Sequence, residues 1–240
     1  MEKNILIETK DSHLIYGTLS SKKKSKKLII LVHGLLGNKN EHIFYNGTKF
    51  FIKNGFDTFR FDLYNGRKGG RKLKECTLEI HSQDTSIVVN YFKRKYDKIF
   101  LVGHSYGGLT VMKSDLSSIS GIILWDAAST TNTEWASAME YVENLDAYLL
   151  SWGMDYIIGK HMFNESQKLP HPKELMSKIN VPIKIICAQN STLLKDGKIY
   201  YKYAKNPKEF TIIKNARHNF NEEGSEELLF KETLKFLKKY

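Results

Sequence analysis

Leu101-Val102-Gly103-His104-Ser105-Tyr106-Gly107-Gly108 decides how this chain is read. An apolar run, residues 99–102, leads into Gly-x-Ser-x-Gly, and a helix-compatible stretch follows. Strand, sharp turn and helix in that order make the pattern of a nucleophile elbow, in which a serine is held on the turn with its hydroxyl exposed. Backbone N–H groups stand beside such a serine. The turn crowds the main chain, so Gly103 and Gly107 are expected at positions where a Cβ would collide.

Around this motif, apolar runs alternate with helical patterns, as in a mostly parallel sheet covered on both faces. Residues 4–9 and 13–19 read as an opening antiparallel pair. Residues 28–32, Leu-Ile-Ile-Leu-Val, form a continuous aliphatic run, as a strand buried on both faces requires. Residues 58–61, 99–102, 122–125, Ile183–Ala188 and 210–213 follow as further strands. Between them, residues 78–95 carry Ile80, Ile87, Val88, Tyr91 and Phe92 at helical spacing, and Leu229, Phe230, Leu234 and Leu237 repeat the pattern near the C-terminus. Residues 129–175 break the alternation. They show no strand-like run, are rich in aromatics (Trp135, Tyr141, Tyr148, Trp152, Tyr156, Phe163) and are too long for an ordinary connection. They are expected to be a small helical lid inserted in a single α/β domain spanning residues 1–240.

Size and composition agree with that plan. The chain has 240 residues, 41% of them hydrophobic and 12% aromatic, which suits a globular domain and excludes a disordered one. No apolar run approaches the roughly 18 residues of a membrane span. Met1-Glu2-Lys3-Asn4-Ile5 lacks the apolar region of a secretory signal, and Cys76 and Cys187 suggest no disulfide framework. A cytoplasmic location is therefore expected. The formal net charge is +11, but the lysines are scattered. Of two basic clusters, residues 22–27 read as a solvated turn and residues 66–72 as a flexible loop. Neither interleaves aromatics as a single-strand binding surface does, so no nucleic-acid partner is expected. The oligomeric state is left open.

A serine hydroxyl needs a base. His218, in Asn215-Ala216-Arg217-His218-Asn219-Phe220, follows the last strand, from which a loop can return to the strand ends that carry Ser105. The other histidines fall in the opening strands, on helix faces, in the insertion or within the glycine motifs. Acyl transfer also needs donors to the negative oxygen of the tetrahedral intermediate. The N–H of Tyr106 follows the nucleophile directly. The second donor is expected from His33-Gly34-Leu35-Leu36-Gly37, after an early strand, and the N–H of Leu35 is the choice.

These stretches, with Arg60-Phe61-Asp62, the Gly66–Gly70 loop, Thr77-Leu78 and Asp84, resemble the α/β-hydrolase superfamily over nearly the whole chain. The likeness runs to its small cinnamoyl/feruloyl-esterase and monoglyceride-lipase-like members. The resemblance implies hydrolysis of an ester, a thioester or occasionally an amide through an acyl-serine, with no cofactor. It also implies an acid in the turn after Ile183–Ala188, where this chain has Ser191. Two aspartates are candidates for its place. Asp126 ends the strand 122–125 and is preferred. Asp196 is the alternative. No zinc-spaced His or Cys set, dinucleotide fingerprint or phosphate loop is present, so no metal is expected. The expected function is a serine hydrolase of a carboxylic ester or thioester, with a hydrophobic or aromatic acyl group favoured. The alternative is a hydrolase fold used for binding.

Overall fold

A computed structural model describes residues 1–22, 25–128, 130 and 137–240. Lys23 and Lys24 of the first basic cluster, and Ser129 and Trp135 of the aromatic stretch, lie outside the described residues.

The main sheet has eight strands: β1 (Glu2–Glu8), β2 (Leu14–Ser20), β3 (Lys27–Val32), β4 (Asp57–Phe61), β5 (Lys98–His104), β6 (Gly121–Trp125), β10 (Ile183–Ala188) and β11 (Lys208–Ile213). Their order is β1-β2-β4-β3-β5-β6-β10-β11. From β4 to β11 every pairing is parallel, and β1 and β2 are antiparallel additions at one edge. The described helices are α1 (His42–Lys53), α2 (Leu78–Phe92), α3 (Tyr106–Lys113), α4 (Lys160–Ser166), α5 (Pro172–Ser177), α6 (Leu194–Tyr203) and α7 (Ser225–Lys239). This is the α/β-hydrolase architecture, a mostly parallel sheet with helices on both faces.

The aliphatic run of β3 shows why both faces are covered. Side chains alternate along a strand. Leu28, Ile30 and Val32 enter the core shared with α2 and α3, while Ile29 and Leu31 enter the core built from α1 and α7. A one-residue slip would exchange two fully buried sets.

Helix α2 departs from its sequence reading. Its buried stripe is Leu78, His81, Ser82, Asp84, Thr85, Val88, Val89 and Phe92, whereas Ile80 and Ile87 are half-buried and Tyr91 is exposed. The apolar residues alone misplace the face because the core side carries polar groups. Asp84 is held there by Arg71, whose Nε and Nη2 donate to its carboxylate at 2.6 and 2.9 Å. The same guanidinium reaches Asp11 at 2.8 and 3.0 Å. Arg71, expected in a flexible basic loop, is thus a buried anchor.

The stretch between β6 and β10 is not purely helical. The described residues include a three-stranded antiparallel sheet, β7 (Met139–Val142), β8 (Ala147–Ser151) and β9 (Asp155–Gly159), followed by α4 and α5. These strands are four or five residues long. Tight turns separate them, through Asp146 at φ 46° and Gly153 at φ 77°. None of the three runs alternates apolar and polar residues along its length, so the strand signal is missing. The aromatics divide between two tasks. Tyr148 stacks on Phe163 with ring centroids 3.8 Å apart and packs with Tyr156 against the core of the main sheet, while Trp152 lines the cavity described next.

Candidate active site

In the parallel part of the sheet the strands end on one side, and the loops beyond those ends carry the candidate residues. Residues 33–37 follow β3, Ser105 follows β5, Asp126 follows β6 and His218 follows β11. Crevices outside the carboxyl ends of strands are the usual ligand sites of open α/β sheets.

Ser105 stands between β5 and α3 at φ 54° and ψ −124°, a backbone conformation that side chains rarely adopt. Its own amide groups are committed. The N–H donates to Trp125 C=O at 3.0 Å, and the C=O accepts from Gly108 and Ala128, both at 2.9 Å. The glycines behave as the motif requires. A Cβ on Gly103 would sit 2.3 Å from Gly107 O, and one on Gly107 would sit 2.3 Å from Val32 O. Helix α3 therefore begins pressed against β3 and β5, and only glycine permits that approach.

His218 and Asp126 meet. His218 Nδ1 lies 2.6 Å from Asp126 Oδ2. Asp126 is fully buried at φ 44°, its Oδ1 accepts from Ala188 N–H at 3.1 Å and its own N–H donates to Ile186 C=O at 2.7 Å. One carboxylate oxygen is thus fixed by β10 and the other faces the imidazole. Asp196 is buried in the first turn of α6, where its charge acts on Cys187 and Tyr200. Ser191, in the turn where the resemblance implies an acid, uses its Oγ to accept from Leu193 N–H at 3.1 Å. Of the two candidate acids, Asp126 is the one joined to His218 Nδ1.

The loop after β3 comes close to the serine, since a Cβ on Gly34 would lie 3.1 Å from Ser105 Cβ. His33, which the sequence reading left as part of the glycine motif, organises this loop. Its Nε2 accepts from Leu63 N–H at 2.9 Å, so the remaining proton is on Nδ1, which donates to Gly34 C=O at 2.7 Å. Burial pushes the His33 pKa down, which keeps the ring neutral. Across a planar trans peptide the N–H points opposite to the C=O. Fixing the carbonyl of Gly34 therefore fixes the N–H of Leu35. Further along, Asp62 accepts from the backbone N–H of Lys39 at 2.9 Å and from its ammonium at 2.8 Å, with both side chains buried. A local signal for these clamps is present in Arg60-Phe61-Asp62, but their partners lie some 20 to 30 positions away in the chain.

Ser105, Tyr106, Leu35 and His218 all line one cavity of about 520 Å³. Leu78, Leu109, Met162, Leu169 and Leu193 give it apolar walls, with Trp152 contributed by the β8–β9 turn. Glu165 of α4 also borders it, and its carboxylate accepts from the N–H groups of Leu78 and Glu79 at 2.5 and 3.0 Å. An anion at a helix N-terminus satisfies orphan donors there, so α4 is tied to the start of α2. Among the described residues no group of three or more His, Cys, Asp or Glu could hold a metal ion, and no helix is long and apolar enough to cross a membrane.

Comparison with known proteins agrees with this architecture. Residues 23–152 match the family described as serine aminopeptidase, S33, and the chain belongs to that family of hydrolases within the α/β-hydrolase superfamily. The match includes Ser105 and Asp126, and His218 lies beyond it. A comparison with curated proteins finds no sequence match. Among solved structures, the chain is similar to Est1E from Butyrivibrio proteoclasticus with ferulic acid bound, at a TM-score of 0.83 and 20% identity over 98% of both chains. It is similar to the α/β hydrolase GrgF from Penicillium sp. sh18, at 0.81 and 16% identity over 100% of this chain and 98% of that one. The esterase Pf2001 of Pyrococcus furiosus gives 0.74 and 18% identity, covering 100% and 93%.

Proposed function

We propose that the protein is a serine hydrolase that cleaves a carboxylic ester or thioester through an acyl-serine. The observation that carries this reading is the 2.6 Å contact of His218 Nδ1 with buried Asp126, with His218 and Ser105 on the same cavity wall. Asp126 holds the imidazole in the tautomer whose Nε2 is a base. Ser105 Oγ attacks the acyl carbon, its proton passes to His218 Nε2, and the imidazolium then gives that proton to the leaving alcohol or thiol. Water repeats the sequence on the acyl-serine. The N–H groups of Leu35 and Tyr106 donate to the developing oxyanion, each typically supplying about 3–4 kcal/mol of transition-state stabilisation.

The acyl group is read as hydrophobic or aromatic. Leucine walls and Trp152 support this, as does the ferulic acid bound in the similar Est1E. The segment from β7 to α4 is read as a lid that closes this pocket, and the free, buried Cys76 and Cys187 suit a cytoplasmic setting. The binding-protein reading rests on the unusual position of the acid, with a serine at 191, and the contact of Asp126 with His218 weighs against it.

The test is labelling with a fluorophosphonate probe, together with turnover of p-nitrophenyl esters, an acyl thioester and an aminoacyl p-nitroanilide. Labelling lost in Ser105→Ala and turnover of esters or thioesters above the anilide are expected. An unlabelled wild-type protein without ester or thioester turnover would overturn the proposal.

A further inference from the structure

His104, the residue before the elbow serine, has no part in the chemistry proposed above. It ends β5 and is buried. Its Nε2 lies 2.9 Å from the backbone C=O of His218. A carbonyl only accepts, so Nε2 carries a proton and donates. The two rings also pack, with centroids 4.7 Å apart and planes at 32°. Phe44 and Phe220 flank His104 at 6.4 Å, and Phe44 stacks in turn on Trp125. Burial, with the nearby positive charge of a protonated His218 adding to it, pushes the His104 pKa down to about 3. Near neutrality the ring is therefore an uncharged, rigidly held donor.

What it holds is the main chain of His218 itself, in a loop anchored elsewhere by Asn190 N–H to Ala216 C=O at 2.8 Å, by Asn215 N–H to Gln189 Oε1 at 2.9 Å and by the buried Ala216 and Phe220. Residues 214–224 run between β11 and α7, with Asn215 at φ 59° and Phe220 at φ 53°. Two left-handed non-glycine residues bracket His218, and a third of its side chain is open to solvent. Asp126, from the end of β6, holds the imidazole. His104, from the end of β5, holds the main chain of the same residue. We propose that His104 is a positioning residue: its Nε2–H···O=C bond to His218 fixes the loop so that the imidazole stays on Asp126 and faces Ser105. This rests on the function proposed above. A residue that merely filled the core would need the ring's volume but not its N–H.

The charged and titratable groups facing His218 are Asp126, His104 and Glu41 of the loop before α1, with His42 nearby and paired to Glu226. If the loop loosens, the imidazolium loses contact with Asp126. The base is then no longer held toward Ser105, and the proton transfer slows. In the purified full chain, His104→Leu is expected to lower kcat by about 10- to 100-fold with little change in KM, since small misplacements of a catalytic group are that costly. His104→Gln, whose amide N–H can take the place of Nε2–H, should recover most of kcat. His104→Asn, too short to reach, should resemble the leucine variant and serves in its place should that variant not fold. Full activity in His104→Leu, or equal losses in the glutamine and leucine variants at equal Tm, would overturn the proposal. A readout independent of turnover separates its failure from that of the hydrolase reading. The low-field proton resonance of His218 Nδ1–H on Asp126 should persist in wild type and His104→Gln and broaden in His104→Leu. Its equal persistence in all three would also count against the proposal.

Discussion

Asp126 Oδ2 and His218 Nδ1 lie 2.6 Å apart although 92 positions separate them in the chain. The aspartate is buried without exposure, and its second oxygen is occupied by Ala188 N–H. Asp126→Asn keeps the shape but puts an amide where the carboxylate stood, so the imidazole loses the partner that sets its tautomer. We expect kcat to fall by about 10²- to 10⁴-fold in Asp126→Asn. Asp196→Asn should change kcat far less. Ester turnover by the two variants at matched Tm checks the pair, and the reverse order would assign the acid to Asp196.

The ion pair of Lys39 and Asp62 predicts a stability effect. Both side chains are buried, at 7% and 6% exposure. Removing one charge leaves the other without its counter-ion in a low-dielectric setting. Asp62→Asn is therefore expected to cost about 3–5 kcal/mol, whereas Lys39→Met combined with Asp62→Leu should cost less, because no charge remains buried alone. Denaturant unfolding of both proteins measures it. A double variant less stable than the single one would contradict the electrostatic account.

His81 predicts the acid behaviour of the fold. It is fully buried between Tyr64 and Tyr106, neither ring nitrogen has a hydrogen-bond partner among the described residues, and burial pushes its pKa down to about 3 from an ordinary 6.5. The folded value lies below the unfolded one, so between about pH 3 and 6.5 the unfolded chain binds the extra proton. Stability is intact above 6.5 and declines as pH falls through that window, by about 1.4 kcal/mol per pH unit for each such histidine. His81→Leu should leave Tm at pH 7 undiminished and flatten the decline between pH 6 and 4. An unchanged acid slope in that variant would show that His81 does not carry it.

Trp152 predicts acyl selectivity. It lines the cavity yet is half exposed, so its ring forms part of the rim. Trp152→Ala removes a broad apolar contact without touching the chemistry. KM should rise for aromatic and long-chain p-nitrophenyl esters, by about 10-fold for the loss of 1–2 kcal/mol of apolar contact, and barely change for the acetate. An equal rise for every ester would separate Trp152 from acyl recognition.

Locally encoded features were legible from the sequence. The run 28–32 is apolar at every position because β3 is covered on both faces, so its burial is written in five consecutive letters. The elbow is legible for a similar reason. The close approach of α3 to β3 and β5 admits only glycine at 103 and 107, and steric exclusion leaves a mark on the sequence itself. Ser105 is read from the elbow motif and His218 from its place after the last strand, whereas the preference for Asp126 rests on the resemblance to the α/β-hydrolase superfamily.

Tertiary structure alone decided what depends on partners distant in the chain. Nothing local distinguishes Asp126 from Asp196 as a partner of His218. One oxygen meets His218 because β6 and β11 flank β10 in the sheet. The face of α2 was misjudged because a buried aspartate looks solvated until Arg71 is known to reach it. The three short strands between β6 and β10 were missed because four or five residues, paired only with one another, hold too little pattern to outweigh a helical reading. Burial and steric crowding act on each residue where it stands and so are readable one position at a time. Charge pairing and loop anchoring are properties of two positions, and the fold chooses the second.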